Sequence, residues 1–202
     1  GLRDAINETL SMLGTPAGNV IKPLLDRDPT GETQRIAVDL APAMAEGHLA
    51  LGFALFAGRL DVRGARPHYN KAYQYGRGNA DILLLYALYS ARTRRFTEAR
   101  SAIERALVLD PLNPRTHRAA GTIAYPSRRY AEAVDRYRRG LQLNPKMSTA
   151  HALMGDSLLE LGRMKEAREA YAAEPSAMFR LRGQAVLEHR AGNQAAARRA
   201  YD

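Results

Sequence analysis

Three of the five histidines lie at related positions that could suggest a metal site: His48, His117 and His151. His151 follows His117 by one interval that recurs elsewhere in the chain, and His48 precedes His117 by two such intervals plus one position. If the interval is a structural repeat, neighbouring copies lie about 10 Å apart, the spacing of packed helices. One zinc ion, which needs converging ligands, cannot bridge that distance. We therefore interpret these histidines as packing residues and predict neither a metal nor a cofactor.

Glu98, Glu132 and Glu166 recur at the same interval and could be taken for catalytic carboxylates. They also fall near the start of predicted helices, where a carboxylate stabilises the helix N-terminus by about 0.3–1 kcal/mol. Residues 76–79, Gly-Arg-Gly-Asn, resemble a phosphate loop only weakly, because the third glycine, the Lys-Ser/Thr pair and a preceding strand are missing. No catalytic constellation is present, and we predict that the protein is not an enzyme.

The composition excludes further classes of function. The chain of 202 residues has no cysteine, so thiol catalysis, zinc–cysteine sites and disulfides are excluded. Its longest apolar run, residues 82–89, is too short to span a bilayer. The net charge of +9 is compatible with nucleic acid as a partner. The basic residues are spread along the chain, however, which argues against that partner.

The elements that position these residues repeat along the chain at this one interval. Several columns share it: Pro111 and Pro145; Ala99, Ala133 and Ala167; Arg95, Arg129 and Arg163; Phe96, Tyr130 and Met164; Ala87, Gly121 and Gly155. A fixed period of 34 with small residues, an aromatic residue and a closing proline resembles the tetratricopeptide repeat (TPR) family from about residue 36 to the end.

The resemblance implies an all-α fold, a right-handed α-solenoid (TPR superhelix) of antiparallel helix pairs with about five repeats, some of them partial. The expected units are 31–44 (partial), 45–79, which holds one extra residue, 80–113, 114–147, 148–177 and 178–202 (truncated). Residues 1–30 fit no repeat. There Leu2, Ile6 and Leu10 predict one amphipathic helix, followed by an irregular linker.

Prolines and small residues make this expectation specific. Pro111 and Pro145 should end second helices, because proline disfavours helix at the residue before it. Pro126 should shorten the first helix of its unit, and Pro67 predicts that the second helix of unit 45–79 starts late, near Arg66. The small residues of the first helices are expected to face alanines of the second helices: Ala87, Gly121 and Gly155 against Ala99, Ala133 and Ala167.

The resemblance also implies a binding groove, since in this family places 2, 5, 9 and 12 of the first helix tend to face the concave surface. The residues that we predict to contact a partner there are Leu49, Phe53, Phe56, Leu84, Leu88, Arg115, Arg118, Thr122, Tyr125 and Asp156. The Lys/Asn/Arg clamp with which some family members bind chaperone C-termini is absent. The groove is expected to be apolar at one end and basic in the middle. In the alternative, Phe53 and Leu88 only fill the core between helices.

Residues 81–113, and likewise residues 155–163 and 174–183, also resemble the C-terminal repeat module of bacterial multidomain signalling proteins, linked there to a winged-helix or nucleotide-cyclase domain. Our hypothesis is a scaffold or regulatory module that binds a peptide or helix of a protein partner, or of its own parent chain. The alternative is a sensory module that binds a small ligand and biases an attached output domain. We expect a weak homodimer, and a cytoplasmic location, or a periplasmic one if the parent protein is membrane-anchored.

Overall fold

The computed structural model describes residues 32–194. The predicted helix that contains Leu2, Ile6 and Leu10, and the part of the last predicted repeat after residue 194, lie outside this range. Residues 32–194 form ten α-helices joined by short turns, with no strand among them. The all-α fold class that the sequence predicts is therefore confirmed. The chain divides into two compact units, which we call unit 1 (residues 1–111) and unit 2 (residues 112–202) and describe separately.

Unit 1 contains five of the helices. They are α1 (Glu32–Leu40), α2 (Ala45–Phe53), α3 (Val62–Tyr75), α4 (Ala80–Arg92) and α5 (Phe96–Leu109). Helices α2 and α3 pack as one pair and α4 and α5 as a second, while α1 packs on α2 and α3 packs on α4.

Unit 2 contains the other five. They are α6 (Pro114–Ala124), α7 (Tyr130–Leu143), α8 (Ala150–Glu160), α9 (Met164–Ala172) and α10 (Ala177–Arg190). Here α6 pairs with α7 and α8 with α9, and α8 also contacts both α7 and α10.

The extra residue of the predicted repeat 45–79 lies in a π-helical turn. Helix α2 continues as a π-helical segment, Ala54–Gly58, and the Arg59 N–H donates to the carbonyl of Ala54 at 3.2 Å. A π turn holds one residue more than an α turn, so it absorbs an insertion without breaking the helix.

The prediction that α3 begins near Arg66 is wrong. The helix begins at Val62, where Asp61 accepts a hydrogen bond from the Gly64 N–H at 2.8 Å. This cap fixes the helix start, and Pro67 lies inside the helix. Pro67 removes one backbone hydrogen bond, the one that the Arg63 carbonyl would accept, which a capped helix tolerates.

The other prolines act as predicted. Helix α5 ends one residue before Asp110-Pro111, and α7 ends one residue before Asn144-Pro145. Helix α6 ends at Ala124 and runs into a 3₁₀ turn, Tyr125–Ser127, that contains Pro126.

Tyrosines, and not the expected alanines, are the nearest neighbours of the first-helix glycines. A Cβ atom added to Gly121 would lie 2.7 Å from ring atoms of Tyr137, and one added to Gly155 would lie 2.8 Å from the ring of Tyr171. In unit 1 the corresponding distance from Gly52 to Tyr69 is 3.1 Å. The glycines leave room for a tyrosine ring of the second helix, which brings the two backbones together around that ring.

Candidate partner-binding site

Most apolar residues of the predicted groove are buried inside unit 1. Leu49 and Phe53 of α2 and Leu84 of α4 expose only 1%, 4% and 3% of their surface. Phe56, in the π segment, and Leu88, in α4, are half-buried. The burial of Phe53 fits the alternative in which it fills the core, and Phe56 and Leu88 are the two residues of this group with surface left for a partner.

Phe56 rests on an ordered group of aromatic rings. Its ring meets Tyr89 edge-to-face at a centroid distance of 5.1 Å, and Tyr69 stacks on Tyr89 at 3.9 Å. The guanidinium of Arg95 lies 5.1 Å from the Tyr89 centroid and 5.8 Å from that of Tyr86. Such contacts stabilise by roughly 0.5–1.5 kcal/mol each beyond the burial of area, so Phe56 is held in a defined orientation.

Tyr89 is also fixed through its hydroxyl group, which donates to the carbonyl of Val62 at 3.1 Å. Burial raises the pKa of Tyr89, while the positive charges of Arg95 and Arg66 act against that rise. The ring is thus a neutral packing element that joins α4 to the start of α3.

The polar residues of the predicted site lie in unit 2, along α6, the 3₁₀ turn after it, and α8. Arg115 and Arg118 are half-buried, and Arg118 donates to the Thr149 hydroxyl at 3.3 Å. Thr122 is exposed, and Tyr125 is half-buried with its ring 5.3 Å from that of Tyr130. Burial raises the pKa of Tyr125, and the negative charge of Asp156 raises it further.

Thr122 and Asp156 are held by tyrosines in the same way. The Tyr137 hydroxyl donates to Thr122 Oγ1 at 3.3 Å, and the Tyr171 hydroxyl donates to Asp156 Oδ1 at 2.5 Å. Both members of each pair recur at the repeat interval, so successive first helices present a polar side chain at one equivalent place. Arg182 of α10 adds an ion pair to Asp156 Oδ2 at 2.7 Å. We call Thr122, Asp156 and Arg182 the polar row.

The tyrosines themselves were missed by the sequence prediction, although the signal was present. Tyr69, Tyr137 and Tyr171 stand at multiples of the repeat interval from one another, with Ile103 at the remaining place. Tyr137 and Tyr171 are fully buried, and their hydroxyl groups contact the polar row. Burial raises the pKa of both. They therefore donate hydrogen bonds as neutral phenols across the physiological pH range.

Glu174 is a second residue that sequence reasoning missed. Its side chain is 1% exposed and accepts three backbone hydrogen bonds, from Thr149 at 3.0 Å, Ala152 at 3.1 Å and Ser176 at 3.2 Å. The carboxylate thereby occupies the N-terminus of α8, the helix that carries Asp156. A buried carboxylate is stable in this setting because backbone N–H groups and the helix dipole favour negative charge.

The sequence carried an indirect sign of this arrangement. Asn79 and Asn113 cap α4 and α6 through their side chains, and the next residue at the interval is Met147, which cannot cap. Helix α8 accordingly begins only at Ala150. A missing local cap predicts that another group must satisfy the free N–H groups, but it does not identify which one.

Of the three histidines predicted to be packing residues, two are buried and His151 is half-buried. His48 is buried, donates through Nε2 to the Pro42 carbonyl at 2.9 Å, and has its Nδ1 3.0 Å from Nδ1 of His68. His151 makes the corresponding contact with Pro145 at 3.3 Å, and His117 is buried. Within residues 32–194 no three metal-ligating side chains come together.

Each of the three glutamates lies in the first turn of a second helix: Glu98 in α5, Glu132 in α7 and Glu166 in α9. Arg129 pairs with Glu132 at 2.9 Å, and Arg163 pairs with Glu166 at 2.6 Å. The hydrogen bond from Arg163 lowers the pKa of Glu166.

None of the helices described here combines the length and the apolar character that a membrane crossing requires.

Comparisons with known proteins identify the type of repeat. The family model described as tetratricopeptide repeat matches residues 54–114 and 118–179. A sequence comparison with curated proteins found no match.

Three solved structures illustrate the likeness in fold. pilF of Pseudomonas aeruginosa is 20% identical, with a TM-score of 0.72 over 99% of this chain and 90% of that one. MamA is 18% identical, with a TM-score of 0.61 over 73% and 89%. YrrB, described as a TPR protein with an unusual peptide-binding site, is 19% identical, with a TM-score of 0.61 over 84% and 89%. At these identities the likeness shows the fold alone.

Proposed function

Because the chain belongs to the tetratricopeptide repeat family, whose fold suggests a scaffold for protein–protein interaction, we propose that it binds a peptide or helix of a partner protein along its first helices. The observation that carries this proposal is the polar row in unit 2. Thr122 and Asp156 hold one equivalent place on successive first helices, and each is oriented by a buried tyrosine.

Pre-orientation matters because binding must otherwise immobilise flexible side chains, at about 0.5–1.5 kcal/mol each. The Tyr171 hydroxyl and Arg182 already fix the carboxylate of Asp156. A carboxylate has about four acceptor positions, so Asp156 can also accept N–H groups of a bound segment. Thr122, which is exposed, already donates its hydroxyl proton to the Arg118 carbonyl at 3.1 Å, and its remaining lone pair can accept an N–H group of the segment.

The half-buried residues extend the proposed contacts within each unit. In unit 2, Arg115 and Arg118 favour a partner segment with a carboxylate, since charge steers the encounter and fixes the register. In unit 1, Phe56 and Leu88 offer apolar surface, and an aromatic side chain on a rigid base is the kind of residue that carries binding energy.

The test is selection of a displayed random-peptide library against the full chain, followed by fluorescence polarisation with the selected peptides. We expect Thr122→Val and Asp156→Asn to weaken binding, Asp156→Asn by about tenfold or more, the loss of one charged hydrogen bond. Asp135→Asn is the matched control, because it removes one carboxylate from the second helix α7. Peptides whose affinity is the same for Thr122→Val, Asp156→Asn and wild type would contradict the proposal.

We further propose a regulatory setting, in which the bound segment belongs to the parent chain, on the basis of the resemblance to signalling modules that the sequence suggests. The test is the same titration with peptides that tile any sequence that the full-length gene encodes beyond these 202 residues. A small metabolite that displaces the selected peptides and raises the melting temperature would instead favour the alternative, a ligand sensor.

We also propose weak self-association of the chain. Light scattering across a concentration series should show a monomer–dimer equilibrium, and a mass that stays monomeric at the highest concentration would reject it.

A further inference from the structure

An apolar residue occupies a costly position in the turn before α3. Leu60 has φ = 58° and exposes 60% of its surface, and Val62, two residues on, exposes 45%. Two and three intervals later along the chain, Arg128 and Gly162 adopt the same left-handed conformation. Glycine adopts it without strain, whereas leucine pays a conformational penalty in addition to leaving an apolar side chain in water.

Arginines surround this apolar tip. Arg59, Arg63 and Arg66 flank it along the chain, and all three are exposed. Arg94, also exposed, lies in the next turn of unit 1. Tyr89 links the two turns, because its hydroxyl donates to the Val62 carbonyl and the Arg95 guanidinium lies 5.1 Å from the centre of its ring.

Few acidic groups balance this charge. The carboxylate of Asp61 is used as the cap of α3, and Glu98 lies in the first turn of α5. Among the described residues, no carboxylate lies within ion-pair distance of Arg59, Arg63, Arg66 or Arg94. At the corresponding turns of unit 2, by contrast, Arg129 and Arg163 are paired with glutamates.

We propose that residues 59–63, Arg66 and Arg94, which we call the basic turn edge, bind the surface of an anionic lipid bilayer. Exposed apolar side chains that enter the headgroup region, with arginines around them, are the features that peripheral membrane binding requires. Residues 59–63 contain no aromatic side chain on which a nucleic-acid base could stack. In this proposal the side chain of Leu60 inserts into the headgroup region of the bilayer, and the arginines pair with lipid phosphates.

The experiment measures co-sedimentation of the full chain with vesicles at about 0.1 M salt, where charges further apart than about 10 Å are screened. Vesicles of phosphatidylglycerol mixed with phosphatidylcholine are compared with vesicles of phosphatidylcholine alone. We expect binding only to the anionic vesicles. Each arginine near the surface contributes about fivefold, so Arg59→Gln with Arg63→Gln should lower the partition coefficient about 25-fold. Leu60→Asn, which suits the left-handed backbone, should lower it roughly tenfold through the loss of an apolar side chain.

The matched control removes the same charge from the other end of the α3 helix. Arg77 lies just after α3, about 20 Å from its start at 1.5 Å per residue, and Arg105 donates to the Arg77 carbonyl. Arg77→Gln with Arg105→Gln should leave the partition coefficient within about twofold of wild type. Circular dichroism should show the same helix content for every variant.

Three results would overturn the proposal. One is equal binding to neutral and anionic vesicles, and another is an equal loss in the control pair, which would mean that net charge alone matters. The third is binding to polyglutamate that depends on Arg59 and Arg63 while anionic vesicles are not bound, which would assign the basic turn edge to an acidic polypeptide.

Discussion

Unit 1 and unit 2 use the same repeat positions for different kinds of contact. In unit 1, Arg95 lies over the rings of Tyr86 and Tyr89. In unit 2, Arg129 and Arg163 stand at the equivalent positions, and each pairs with the glutamate three residues later. The backbone of the repeat fixes the position of the arginine Cα atom. The neighbouring side chains within each unit decide whether the guanidinium contacts an aromatic ring or a carboxylate.

The first helices differ in the same sense. The place occupied by Leu88 in unit 1 is occupied in unit 2 by Thr122 and Asp156, which buried tyrosines hold. Unit 1 is therefore organised by aromatic and apolar packing, and unit 2 by a polar network that reaches the surface. Two units of one repeat type can thus offer a partner different chemistry without a change of fold.

The largest difference in stability between variants of the two units is expected for the residues that cap helix N-termini. Glu174→Ala leaves three backbone N–H groups without their acceptor and should lower the free energy of unfolding by about 3 kcal/mol in urea titrations. Asn79→Ala removes a local cap in unit 1 and should cost only about 1 kcal/mol. Glu174→Gln, which keeps an acceptor oxygen, should fall between them. Equal losses for Glu174→Ala and Asn79→Ala would show that the remote cap is no stronger than a local one.

The next largest difference is expected at the glycines. An alanine at Gly155 would press on the Tyr171 ring at 2.8–3.0 Å and should cost about 1–3 kcal/mol. At Gly52 the contacts with Tyr69 are 3.1–3.3 Å, and the helix propensity of alanine, about 1 kcal/mol, should offset the strain. Thermal melts of the two variants test this. In a Tyr171→Leu background the cost of Gly155→Ala should largely disappear, and a cost that persists there would exclude the ring as its cause.

The equivalent arginines should differ by less. Arg95→Ala removes two ring contacts and hydrogen bonds to Thr93 and Ser90, so we expect a loss of about 1–2 kcal/mol. Arg129→Ala removes a partly exposed ion pair and should lower the free energy of unfolding by less than about 1 kcal/mol. Added salt should reduce the effect of Arg129→Ala more than that of Arg95→Ala. The reverse order in urea titrations would contradict the aromatic interpretation of unit 1.

The smallest effect is expected from pH. Burial lowers the pKa of His68 from its ordinary value of 6.5, and the nearby His48, Lys71 and Arg35 lower it further. The unfolded chain therefore binds this proton first as the pH falls, and stability decreases below about pH 6.5. Because His68 is partly exposed, the slope should lie well below the one-proton limit of about 1.4 kcal/mol per pH unit.

His68→Asn should flatten the fall in stability between pH 7 and pH 5, and Lys71→Gln should weaken it by removing one positive neighbour. Urea titrations at each pH provide the measurement. An unchanged slope in His68→Asn would assign the pH dependence to other groups.

Much of the helical framework could be predicted because its signals are local. Pro111 and Pro145 end helices through their own ring sterics, and the first-turn glutamates act within one turn of their own helix. The one-residue excess in the predicted repeat 45–79 was also visible, although its form as a π segment was not predicted, and the start of α3 at Val62 depended on capping by Asp61.

The candidate site was less predictable because the pattern of a helix does not say which neighbour covers each face. Leu49, Phe53 and Leu84 had the spacing of groove residues and are buried in unit 1. Thr122 and Asp156 were identified as surface residues, but their tyrosine partners lie 15 residues away in the second helix.

The sequence by itself determined the repeat, the C-terminal ends of the helices that proline closes, and the all-α fold, since a fixed repeat period and the stereochemistry of proline act through the chain itself. Only the tertiary structure decided that Glu174 caps the helix that begins at Ala150, that glycines face tyrosine rings, and that Arg95 covers an aromatic ring while Arg129 pairs with Glu132. These contacts depend on which helix faces meet and how closely their backbones approach, and side-chain packing between helices sets both.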